Sequence, residues 1–287
     1  HGRNCKREHE GRQSSRGAIN EKPETPGGKA EHNQRKHRHD SCNHTLQTRP
    51  CPSIFRLDIG WPFGYTDHMA SSSRIPPDVD DKSAKLLERA YRLSNDEDTH
   101  ELYRDWAQTY DKTMLDGLGY VSPRLVSRLL AGHVSDRAVR VLDVGAGTGL
   151  AGQELDALGF VDIDAIDYSA DMLAVAAQRN IYKNLIEADL TRPLDIPDAT
   201  YGAAVCSGTF THGHVGPSCL EELFRIIRPG GSFAFSINAG VWLDAGFEAE
   251  LTRLEKAGTV RLIARKAGNN YATSTAEDSW LNLYERQ

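Results

Sequence analysis

The front of this sequence has almost no apolar residues. Between His1 and Ser53 the only large ones are Ile19 and Leu46, set among Lys, Arg, His, Asn, Gln, Gly and Pro, so the stretch cannot bury enough surface to offset the entropy of folding. Residues 1 to 68 are therefore expected to be a disordered tail ahead of one folded domain, 69 to 287. The chain opens on His1, and its first methionine is Met69. A start at Met69 behind a fused or read-through segment and a natural extension both stay open. Long hydrophobic runs are missing too: none approaches the ~20 residues of a membrane helix, and the front lacks the apolar stretch of a signal peptide. The reducing cytoplasm is the expected compartment. Of five cysteines, Cys5, Cys42 and Cys51 fall in the front segment, Cys206 in an expected buried strand and Cys219 in an expected helix, which suggests no disulfide framework. The tract from His37 to His44 is rich in histidine but lacks zinc-finger spacing and any apolar shell, so no metal is expected. Positive charge is short where folding is expected: the net charge is −6 overall, +4 over residues 1 to 68 and −10 over the rest. An acidic domain disfavours a nucleic-acid partner, because phosphate binding needs a basic surface.

What the sequence does have is a strand running into glycines. Val139, Val141, Leu142 and Val144 form a short β-branched run of the kind buried on both faces, and Gly145, Gly147 and Gly149, with Ala146 between the first two, break it at once. Leu150, Leu155 and Leu158 then recur at helical spacing up to Gly159. Strand, glycine loop and helix make a nucleotide-binding geometry, with backbone N–H groups at a helix start facing the ligand. A dinucleotide fingerprint would place its third glycine at Leu150. Asp143, at the strand end, would repel a pyrophosphate and welcome a cationic ammonium. At these residues the sequence resembles the class I S-adenosylmethionine-dependent methyltransferases, whose first motif is an acid followed by Gly-x-Gly-x-Gly.

The next strands carry further acids at their ends. Val161 to Ile166 leads to Asp167, 22 residues beyond Gly145, where an acid can accept from two ribose hydroxyls. Ser169 caps the following helix, and Tyr168 and Met172 can wall the adenine. Asn184 to Ala188 leads to Asp189 and Leu190; the resemblance implies that Asp189 accepts from the adenine amine and that the next backbone N–H donates to the ring. Tyr201 to Cys206 is a fourth strand and Ser232 to Ile237 a fifth, the latter behind the helix of 217 to 227 and the turn Arg228-Pro-Gly-Gly231, a further hallmark of the class. Thr259 to Arg265 and Ser279 to Tyr284 complete the strands, with 266 to 278 read as a mobile loop. Alternation of strand and helix gives a doubly wound α/β fold; the resemblance adds seven strands in the order 3-2-1-4-5-7-6 with the last antiparallel.

Ahead of the core, 83 to 93 reads as one helix and Leu102, Trp106, Tyr110 and Met114, four apart, as another. The run from Leu102 to Asp111, then Gly119 to Arg124, is similar to the lid of the Williams-Beuren syndrome region methyltransferase-like subgroup, which implies lid helices over 83 to 131, a core over 138 to 287 and Tyr103 over the cofactor. Ser207 to His214 follows the fourth strand at the ligand edge of the sheet. Ser207 is a cofactor candidate, and His212 is the favoured proton acceptor of the pair His212 and His214, with Tyr110 competing. Neither the Asn-Pro-Pro-Tyr pattern of amino-methylating nucleic-acid enzymes nor a Pro-Cys pair follows that strand. The expectation is methyl transfer from S-adenosylmethionine to a small molecule. A nicotinamide-dependent oxidoreductase and a non-catalytic cofactor-binding protein are the alternatives.

Overall fold

The computed structural model describes residues 85, 86, 88 to 90 and 96 to 287, apart from 273, 275 and 276. The tail of residues 1 to 68, the histidine-rich tract and the start of the first lid helix lie outside the described residues. Seven strands, β1 (Val141–Val144), β2 (Ile163–Asp167), β3 (Tyr182–Glu187), β4 (Tyr201–Phe210), β5 (Ile227–Asn238), β6 (Val260–Gly268) and β7 (Ser279–Arg286), form one sheet in the order β3-β2-β1-β4-β5-β7-β6. β1 to β5 pair in parallel, whereas β7 runs antiparallel to both β5 and β6. The expected order and the reversed last strand are both present.

Among the described residues the α-helices α1 (Asp96–Trp106), α2 (Ser122–His133), α3 (Leu150–Ala157), α4 (Ala170–Ala177), α5 (Cys219–Ile226) and α6 (Phe247–Lys256) accompany the sheet, and residues 85, 86 and 88 to 90 are helical as well. The period-2 alternation of β1 divides its side chains between two apolar layers. Val141 packs with Leu130 and Leu155, while Leu142 and Val144 pack with Phe224 and Phe233. All four β1 residues are buried, Asp143 included.

Three boundaries differ from expectation, and each bears on the site. β4 runs on to Phe210, with an irregularity between Cys206 and Phe210, so the expected loop begins as strand. The lid helix does not hold one pitch. α1 tightens into a 3-10 turn over Ala107–Thr109 and then widens into a π-helix over Lys112–Gly117. This change of phase lets Leu102, Trp106 and Met114 be buried together. The segment after β6, expected as a mobile loop, is tied down: Val121 N–H donates to Asn270 O and Ala272 N–H to Gly119 O, both at 2.8 Å. Tyr271 is buried against Tyr120, with ring centroids 5.8 Å apart. Its polar composition gave no sign of a partner so distant in sequence.

Candidate active site

The chain leaves β1 for β2 on one side, and β4 lies on the other, so the carboxyl end of β1 is the switch point where open α/β sheets form a crevice. Gly145 turns there with φ +63°, and a Cβ on it would stand 2.0 Å from Thr209 Oγ1. Gly147, at φ +55°, is different: a Cβ there would meet only Met172 Cε, at 4.0 Å. The loop thus leaves a backbone cradle that a side chain at 147 would occupy.

A cavity opens over this cradle. Of the expected cofactor residues, Tyr103, Gly145, Gly147, Asp167, Tyr168, Met172, Asp189, Leu190 and Ser207 line it. Asp167 accepts from Gly147 N–H at 2.8 Å and from Ser169 N–H at 2.9 Å. Its carboxylate therefore locks the glycine loop to the end of β2, and burial raises its pKa despite these bonds. Met172 and Leu190 supply apolar wall. Asp189 is held by Thr191, through N–H at 2.8 Å and Oγ1 at 2.6 Å, and by Arg192 Nε at 3.0 Å. Partial desolvation opposes these bonds, but they prevail and lower its pKa. Asp167 and Asp189 are the acids of the lining, and among the described residues it includes neither lysine nor arginine. Two acids without a lysine or arginine suit hydroxyls, an amine and a sulfonium, and do not suit a pyrophosphate.

Asp143, Ala146 and Gly149 stand behind this lining. Asp143 is turned under the loop, where Oδ2 accepts from Gly152 N–H at 2.9 Å and Tyr182 O–H at 2.7 Å. Burial pushes its pKa up to about 6 against those two bonds. Its place is a brace between β1, α3 and β3. Ala146 packs with Ala165 and Leu173, and Gly149 caps α3 with φ +88°.

Beneath the lid a second cavity adjoins the first. Tyr103, Tyr110, Gly208 and His214 belong to both walls. His214, not His212, reaches the junction. Its Nδ1 lies 2.7 Å from the carbonyl oxygen of His212 and so carries the hydrogen, leaving Nε2 to accept from the Tyr103 hydroxyl at 2.6 Å. Burial lowers the His214 pKa and keeps it neutral. His212 lines neither cavity, and its ring packs on Gly240. The extension of β4 rotated the histidines away from the expected order, since 212 lay nearer the expected strand end. Tyr110 lines both cavities, and burial raises its pKa well above the ordinary phenol value, so it stays protonated. Ser207 Oγ lies 3.2 Å from the Tyr120 hydroxyl.

Sequence reading missed the lid's fastening. Thr148 Oγ1 donates to Asp111 Oδ1 at 2.5 Å, and the guanidinium of Arg179, which also donates through Nε to Thr148 O at 2.6 Å, pairs with the other Asp111 oxygen. Asp111 and Arg179 lie far apart in sequence, and no motif joins them. Among the described residues no group of three or more His, Cys, Asp or Glu could hold a metal ion, and no helix is long and apolar enough to cross a membrane.

Residues 142 to 235 match the family model described as a methyltransferase domain. The sheet order and glycine loop are those of class I S-adenosylmethionine-dependent methyltransferases, a likeness that implies S-adenosylmethionine as the cofactor. Among curated proteins the chain is similar to methyltransferase-like protein 27 of Homo sapiens, 32% identical over 162 residues, covering 54% of this chain and 65% of that one. It is also similar to the malonyl-[acyl-carrier protein] O-methyltransferase of Pectobacterium atrosepticum, 33% identical over 38% of this chain and 42% of that one. The chain thus spans less than two thirds of either relative. In fold it matches a TehB-like methyltransferase from Corynebacterium glutamicum, with TM-score 0.50 and 17% identity over 64% of this chain and 98% of that one. The open cradle at Gly147 and the two acids without a lysine or arginine beside them fit S-adenosylmethionine.

Proposed function

We propose that the protein transfers a methyl group from S-adenosylmethionine to a small molecule held in the cavity beneath the lid. The observation that carries this reading is the junction: one cavity with a glycine cradle and two acids, one cavity under the lid, and Tyr103, Tyr110, Gly208 and His214 common to both. When bound, S-adenosylmethionine supplies an electrophilic methyl, so the protein's work is positioning and proton removal. Asp167 accepts from the ribose hydroxyls, while Asp189 and the backbone beside Leu190 receive the adenine against Met172 and Tyr168. Asp143 supports the loop from below, so its part in cofactor binding is indirect. The Tyr103–His214 pair accepts the acceptor's proton, a role that moves from His212 because His214 is the histidine at the junction.

In this reading the lid over 83 to 131 and the core over 138 to 287 act as one methyltransferase domain, and the likeness of the lid segment to the Williams-Beuren syndrome region methyltransferase-like subgroup supports membership in it. Calorimetry with S-adenosylmethionine and with NADH separates this reading from an oxidoreductase. Tritiated methyl transfer to a panel of small acceptors separates it from a non-catalytic binder. Preference for NADH, or cofactor binding with no transfer to any acceptor, overturns it.

A further inference from the structure

The cavity beneath the lid is built of rings and neutral polar groups. Trp106, Tyr110, Tyr120, Phe210 and Tyr271 supply aromatic wall, and among the described residues no Asp, Glu, Lys or Arg belongs to its lining. A carboxylate or phosphate would find no cation there, and an ammonium would find no carboxylate. Two donors wait in this wall. The indole N–H of Trp106 is buried and has no hydrogen-bond acceptor among the described residues, although the residue itself is only 1% exposed. Asn238, half-buried at the end of β5, spends its oxygen on Gly240 N–H at 2.9 Å, and its amide nitrogen donates to no acceptor among the described residues. A buried donor left unpaired costs free energy that a ligand oxygen recovers. The Tyr103–His214 pair stands at the boundary with the cofactor cavity, oriented to take a proton.

We propose that the methyl acceptor is an uncharged, ring-bearing hydroxyl compound, a phenol or enol, bound by the aromatic walls with a second oxygen on the Trp106 N–H or the Asn238 amide. This rests on the methyltransferase reading above. In the transfer, a lone pair of the acceptor oxygen forms the new C–O bond as the methyl–sulfur bond breaks and its electron pair stays on the sulfur. The hydroxyl proton passes to the Tyr103 oxygen while Tyr103 gives its own to His214 Nε2, leaving an imidazolium, an O-methyl ether and S-adenosylhomocysteine. The five rings of this wall also attract cations, so the ammonium is the competitor to be excluded by measurement.

The test is calorimetric binding of the naphthol 2,6-dihydroxynaphthalene, 2-naphthoate and protonated 2-naphthylmethylamine to the full chain loaded with S-adenosylhomocysteine at pH 7. The dihydroxy naphthol is expected to bind at least about tenfold more tightly than either ion, and Trp106→Phe, which removes the donor to its second oxygen, to weaken it about tenfold. Asn238→Asp, which keeps the oxygen that holds Gly240, should shift preference toward the ammonium and serves if Trp106→Phe does not fold. Equal or tighter binding of either ion, binding of none of the three, or naphthol affinity unchanged in both variants overturns the proposal. If S-adenosylhomocysteine itself does not bind, the methyltransferase reading falls as well; if it binds and naphthol does not, the acceptor class alone is wrong.

Discussion

Asp167→Ala is the most direct perturbation of the cofactor site. In the folded protein this carboxylate holds Gly147 N–H at 2.8 Å and Ser169 N–H at 2.9 Å, and it lines the cavity beside the glycine cradle. Each of its oxygens has a further lone pair for a ribose hydroxyl. Removing it leaves two ligand hydroxyls without their acceptor and frees the loop at Gly147. One to two such unmade hydrogen bonds in a buried site correspond to about 1 to 3 kcal/mol, a loss of affinity of about 5- to 150-fold. The assay is calorimetric titration with S-adenosylhomocysteine, with circular dichroism showing that the variant is folded. Gly147→Val is the companion, because its side chain would fill the cradle while φ of +55° adds backbone strain; binding should be abolished. Unchanged affinity in both folded variants refutes the assignment of this cavity to the cofactor.

Three further outcomes follow from the geometry. His214→Ala should lower turnover by about 10²- to 10⁴-fold with a far smaller change in cofactor affinity. It should also abolish an acidic limb lying below the ordinary histidine range, whereas His212→Ala keeps that limb; the reverse pattern restores His212 as the base. Asp143 has a folded pKa of about 6, above its unfolded value of ~3.9, so its neutral form is the one the fold prefers. The stability it confers is present below ~3.9 and lost as pH rises through about 6, about 3 kcal/mol over the whole window and about 1 kcal/mol between pH 5 and 7.5. Urea melts of the wild type and Asp143→Asn should show the wild type losing ground by that amount as pH rises, and a constant difference refutes it. A shortened chain beginning at Met69 should keep its melting temperature and its affinity for S-adenosylhomocysteine; a sharp fall in either places part of the fold upstream of Met69.

The sequence by itself determined the sheet and the outline of the first cavity. The β-branched run at 141 to 144, the glycines behind it and the acids at 167 and 189 are local signals, because strand burial, loop conformation and strand-end chemistry are set by residues a few positions apart. Asp143 shows where such signals stop. Its place in the motif suggested a ligand contact, but alternation along β1 turns it to the α3 side, where Gly152 and Tyr182 receive it. The choice between His212 and His214 depended on β4 continuing to Phe210, which pairing with β5 decides and the composition of the loop does not. The cavity beneath the lid is further out of reach. It joins Trp106, Tyr120, Asn238 and Tyr271 from four separate segments, and the Asp111–Arg179 fastening spans 68 positions. Contacts of that kind arise from close packing of elements whose mutual approach no short stretch of sequence encodes, so only the tertiary structure could decide them.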